Sequence, residues 1–135
     1  MSGITNLQQL LADLRPQLMD GEYAFCTVIG DVADYLPLNP LATFYEREGL
    51  TLIVPLRNAV QAGMTVETSY RQITLTVHSS LEAVGLTAAV ASKLAERQIS
   101  ANVVAAYYHD HIFVPADKAV AALAALQELG SSHAD

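Results

Sequence analysis

Between residues 71 and 97 the spacing of apolar side chains changes from every second residue to about every 3.6, and the change falls across Ser79-Ser80. Arg71, Ile73, Leu75 and Val77 alternate with Gln72, Thr74, Thr76 and His78, the pattern of a strand with one buried face. Over residues 81–97 the pattern is helical, with Leu86, Val90 and Leu94 on one side and Val84, Ala88, Ala91 and Ala95 on a second. Only a narrow strip around Glu82, Lys93 and Glu96 is polar. A helix apolar over more than half its circumference needs two covering surfaces: its own sheet, and a neighbouring helix or a second subunit.

The rest of this half extends the same architecture. Residues 101–108 and 111–114 read as a hairpin with His109-Asp110 at its tip, and Pro115 opens a last helix through residue 129, with Val120, Leu123 and Leu126 inward. Strand, helix, strand, strand, helix is the order of an open antiparallel sheet with its helices on one face, an α+β layering. The first half repeats it less completely. Residues 6–15 carry Leu7, Leu10, Leu11 and Leu14 on one helical face, with Thr5 as the expected N-cap and Pro16 at the end. Residues 22–29 read as a strand, and residues 30–40 as a loop broken by Gly30, Pro37 and Pro40. A hairpin closes at Glu48-Gly49, and Pro55 opens a short helix that Gly63 stops. The chain thus reads as two related modules of about 65 residues each. Residues 1–64 form the first, lacking its opening strand, residues 65–129 the second, and residues 130–135 a disordered tail.

Composition narrows the function. The chain is 52% hydrophobic and 16% charged, more apolar than 135 residues readily bury alone, so a homodimer or higher oligomer is expected. A net charge of −7 lacks the basic stripe that neutralises a phosphate backbone or an anionic membrane, so neither nucleic acid nor membrane is an expected partner. No apolar run reaches the roughly 18 residues of a membrane span, and no secretory leader is visible. Cys26, the single cysteine, falls in an apolar strand and is expected buried and inert, consistent with a reducing cytoplasmic location. Neither a Walker loop nor a dinucleotide-binding glycine motif is present, so no cofactor is implied and no enzyme activity is expected.

The set Ile73 to His78, Leu81-Glu82-Ala83-Val84-Gly85-Leu86, Leu94-Ala95-Glu96, Ile99-Ser100-Ala101-Asn102-Val103 and Tyr107-Tyr108-His109-Asp110-His111 resembles the ACT domain. With Gly21-Glu22-Tyr23-Ala24-Phe25-Cys26-Thr27-Val28 and Asn39-Pro40-Leu41-Ala42-Thr43-Phe44, the whole chain is similar to small bacterial tandem ACT proteins. Its second half is also similar to modules of the CASTOR-type arginine sensors. The resemblance implies ferredoxin-like modules and a regulatory protein that senses a free amino acid. The alternative is a ligand-free interaction module that docks on a partner enzyme. Neither half shows all four strands of a standard module, so a missing edge must come from the other half or from another chain.

Six residues are candidates for ligand binding. Ser79 and Ser80 sit where a strand hands over to a helix N-terminus, whose free N–H groups favour a carboxylate; one serine is in any case an ordinary cap. Glu82 complements the helix dipole, and Gly85 makes room for either a ligand or a packed neighbour. By the resemblance, Asn102 and Asp110 fall near the amino-acid pocket, where an acid holds an α-ammonium; each is also an ordinary strand-start or turn residue. His78, His109 and His111 lack a third ligand at metal-binding spacing, so solvated histidines are expected and no metal.

Overall fold

The leucine stripe of the N-terminal segment forms α1 (Leu7–Ala12) in the computed structural model, which describes residues 6–133. Thr5 lies outside the described residues; Asn6 is the cap, its Oδ1 accepting the Gln9 N–H at 3.0 Å. Arg15, in the left-handed region at φ 46°, turns the chain into β1 (Pro16–Leu18). Three residues are too few to show a period, which is why alternation does not reveal this strand. β1 pairs antiparallel with β5 (Tyr70–Leu75), placing Pro16 opposite Leu75 and Leu18 opposite Ile73.

This pairing decides the organisation. The chain separates into two units, one formed by Asp20–Tyr70 and the other by the residues through Met19 together with those from Arg71 onward. The second unit continues with α3 (Leu86–Glu96), β6 (Asn102–Ala105), β7 (Asp110–Pro115) and α4 (Ala119–Ser131). Its strands run in the order β1-β5-β7-β6, so the strand that the second module lacks is β1, from the N-terminal segment. The spatial units therefore interleave the sequence segments 1–64 and 65–129.

Leu10 and Leu14, Leu86, Val90 and Leu94, and Ala122 and Leu126 form the helical layer of this unit's core. Ile73, Leu75, Ile112 and Val114 come from one face of the strands beneath, so the helices lie on one side of the sheet. Each fully buried leucine contributes about 1.5–3 kcal/mol of transfer free energy. Lys93 and Arg97 converge on Glu128, at 3.7 and 2.5 Å, beside the contact between α3 and α4.

Two helices depart from their sequence reading. α3 starts at Leu86 and not near residue 81, because Gly85, at φ 97°, is its N-cap and Leu7 packs close against it. Leu81 and Val84 are consequently exposed. α4 turns Ala119, Ala122, Ala125 and Leu126 inward, while Val120 is 77% exposed. A 3-10 turn (Ala116–Lys118) precedes α4, and its tighter winding of about three residues per turn shifts the phase of the longer helix. α4 also runs through Ser131, into the expected tail; Ala134 and Asp135 lie outside the described residues.

The Asp20–Tyr70 unit comprises β2 (Tyr23–Val28), β3 (Ala42–Tyr45), β4 (Leu50–Pro55) and α2 (Leu56–Gln61), with Tyr70 registered opposite Tyr23. The expected loop after β2 is instead a 3-10 helix (Val32–Leu38), held by the Tyr45 hydroxyl, which accepts the Val32 N–H at 3.0 Å and donates to Asp31 at 2.8 Å. The hairpin closes between Glu46 and Gly49, where a side chain on Gly49 would meet Thr27 Oγ1 at 2.8 Å and the Val28 carbonyl at 2.9 Å. Ala24, Leu50, Leu52, Val54 and Ala59 make a small core of their own.

Candidate functional site

The segment between β5 and α3 is a turn built on Ser80. Its carbonyl accepts the Ala83 N–H at 3.0 Å and its hydroxyl accepts the Glu82 N–H at 3.1 Å. Across from this turn, Asp110 opens β7 opposite Ala105. Ser79, Ser80, Leu81, Ala83, Leu86, Thr87, Ala105 and Asp110 enclose a cavity of about 80 Å³. At about 30 Å³ per water that is room for two or three waters, well short of the 300 Å³ at which drug-sized pockets begin.

Two parts of this lining carry charge or partial charge. Burial pushes the Asp110 carboxyl above its ordinary value, partly offset by His111, by a hydrogen bond from the Ser79 hydroxyl, and by His109. In the same lining, α3 begins without a side-chain cap, and its first residues, Leu86 and Thr87, line the cavity. An N-terminus of this kind presents unsatisfied N–H groups and the positive end of the helix dipole.

Of the residues singled out from the sequence, Ser79, Ser80 and Asp110 come together here. Asp110 lies within a strand, the turn itself being closed by Ala106 and His109. Gly85 caps α3, and a side chain there would meet Leu7 Cδ2 at 3.0 Å, so packing accounts for the glycine. Glu82 is exposed on the turn. Asn102 pairs with Phe113, three residues along β6 from Ala105 and therefore about 10 Å from the cavity. Sequence reading missed Thr87 and Ala105; a helix start placed at Gly85 would have brought Thr87 forward.

The histidines are occupied by the protein itself. His111 Nδ1 lies 3.0 Å from both Gln72 Nε2 and Thr74 Oγ1, and burial, followed by the nearby His109, holds its pKa below the ordinary imidazole value. His109 Nδ1 donates to the Val77 carbonyl at 3.2 Å, and His78 stacks at a tilt on Tyr108. Among the described residues no three His, Cys, Asp or Glu side chains are grouped to hold a metal. Cys26 is half-buried, less than expected, because it lies on the side of β2 facing a small core; its thiol is pushed up by burial.

One ACT domain family model matches residues 2–71 and a second matches residues 67–128. The chain belongs to the ACT domain family. ACT domains are typically regulatory modules that bind small ligands and commonly oligomerise. No curated protein matches this ACT chain. Among solved structures it is similar to a Vibrio cholerae protein of unknown function, a possible transport protein, with 58% identity over 96% of this chain and 99% of that one and a TM-score of 0.86. It shares its fold with an Agrobacterium tumefaciens protein at 14% identity, covering 85% and 87% of the two chains with a TM-score of 0.71. The ligand-free regulatory subunit of aspartate kinase from Thermus thermophilus has the same fold, at 14% identity over 84% and 95% of the chains and a TM-score of 0.62. No helix among the described residues is long and apolar enough to cross a membrane.

Proposed function

We propose that this ACT protein senses a free amino acid, or a zwitterion of similar size, in the cytoplasm and passes that signal to a partner enzyme. The observation that carries this reading is a small cavity lined both by a half-buried carboxyl and by the first residues of a helix without a side-chain cap. An α-ammonium on Asp110 relieves the penalty of burying that carboxylate, and an α-carboxylate on the first turn of α3 satisfies its free N–H groups. Ser79 and Ser80 add hydroxyls, Gly85 sets where the helix begins, and Glu82 and Asn102 contribute outside the cavity. In this reading the repeat units of the sequence are residues 1–64 and 65–129. The test is a thermal-shift screen against each proteinogenic amino acid, followed by calorimetry. A ligand at a hundred times its Kd stabilises by about 2.7 kcal/mol, and Asp110→Asn removes the effect. No shift with any amino acid at millimolar concentration rejects the reading.

A second reading, a docking module without ligand, rests on the outward face of α3. Ala88 and Ala95 are exposed there, on the side that the sequence marks as apolar. The same face is the proposed contact of a homodimer. Ala88→Glu separates this from core effects, since Val90 is buried and its replacement unfolds the chain. Light scattering at micromolar concentration giving 14.5 kDa for the unmodified protein refutes self-association.

A further inference from the structure

The Asp20–Tyr70 unit carries a larger cavity, which the amino-acid reading does not use. Gly63, in the left-handed region at φ 78°, ends α2, and the Met64 N–H returns to the Ala59 carbonyl at 3.0 Å. The next segment alternates. Met64 and Val66 pack on the core of Ala24, Leu52, Val54 and Ala59, while Thr65, Glu67 and Thr68 face outward. Its far end is pinned by the Ser69 hydroxyl, which donates to Glu22 at 2.7 Å, and by Tyr70 opposite Tyr23. Residues 65–68 thus form a wall anchored at both ends. The facing wall is Phe25 and Tyr70, edge to face with ring centroids 5.0 Å apart at 62°. Between them lies an open cavity of about 330 Å³.

We propose that this cavity binds an organic ammonium ion with a head the size of choline. Glu67 is its single charged lining residue, and no lysine, arginine or histidine lines it. A carboxylate and two aromatic side chains, with no cationic group among the lining residues, make it attractive to an organic cation and unfavourable to carboxylates and phosphates. The chain's net charge of −7 acts in the same direction at long range. The volume falls at the lower end of the range for small-molecule pockets. Because both ends of residues 65–68 are tied down, little ordering accompanies binding. The lining differs from that beside Asp110: no helix N-terminus and no cationic side chain lines this cavity, and Glu67 repels a zwitterion's carboxylate.

The experiment is a titration of the full chain, followed by amide NMR shifts, with choline and with 3,3-dimethylbutan-1-ol, its neutral analogue of the same shape. Choline produces saturable shifts centred on Phe25 and residues 65–70, and the neutral alcohol binds at least several-fold more weakly. Glu67→Gln, at an exposed position that leaves the core intact, weakens choline binding about twofold to fivefold, as expected for a solvated ion pair. Phe25→Leu weakens it by a similar factor through the lost aromatic ring. Absence of saturable shifts at tens of millimolar choline overturns the proposal. So does equal affinity for the neutral alcohol, or unchanged affinity in Glu67→Gln.

Discussion

Replacing Leu10 with alanine removes a side chain with no solvent exposure from a core that also contains Ile73, Leu75, Val90, Leu94 and Leu126. α1 contacts both α3 and α4, so the space left behind is walled on several sides and closes only in part. Fully buried Leu→Ala changes cost about 2–5 kcal/mol, the lost transfer free energy plus a cavity term. The higher helix propensity of alanine returns only a few tenths of a kcal/mol. The expected loss is about 3 kcal/mol, equivalent to a fall in Tm of roughly 10 °C for a chain of this length. Urea unfolding measures the loss, with Gln9→Ala on the exposed side of the same helix as a control expected within about 0.5 kcal/mol. Hydrogen exchange then locates it. Because α1 and β1 belong to the unit that begins again at Arg71, exchange should accelerate in β5 and α4 as well as in α1. A loss under about 1 kcal/mol, or acceleration confined to residues 7–14, refutes the interleaved packing.

Asn6→Ala removes the hydrogen bond to the Gln9 amide and should cost about 1 kcal/mol in urea unfolding; an unchanged midpoint refutes the capping role. Gly49→Ala forces a methyl group against the Val28 carbonyl, which the strand holds in place, and should cost about 1–3 kcal/mol; a neutral result shows that the hairpin yields. Val120→Glu should change stability by less than about 0.5 kcal/mol, whereas Ala122→Glu buries an unpaired carboxylate and should prevent folding. His111, held below the ordinary imidazole value of 6.5, is protonated first in the unfolded chain. Its contribution is intact above about pH 6.5 and declines as pH falls through that value toward the folded pKa. Urea midpoints measured across this range should slope less in His111→Gln than in the unmodified protein, and equal slopes refute the assignment.

Elements whose residues carry their own local signal were legible in advance. The hairpin at Glu48-Gly49, the strand around Ile73 and Leu75, and the Leu86, Val90 and Leu94 stripe arise from period and turn chemistry, and the structure retains them. The grouping of Ser79, Ser80 and Asp110 was anticipated through the family resemblance, since nothing in their spacing places residues thirty positions apart beside one another. The onset of α3 was misjudged because Leu81 and Val84 continue the helical spacing; the conformation of Gly85 and the approach of Leu7 interrupt it. The outward turn of Val120 likewise depends on the 3-10 turn before α4.

Sequence by itself determined the α+β class and most of the strands and helices, because hydrophobic period and turn residues act over a few neighbouring positions. Tertiary structure alone decided that β1 completes the sheet of residues far along the chain. Only three residues pair, and their value lies in satisfying backbone groups of β5 that would otherwise be bare, an energy set by the partner and not by local sequence. The cavity between Phe25 and Glu67 has the same origin: its walls meet because Val66 is drawn into a core and Ser69 is tied to Glu22, contacts that no local pattern encodes.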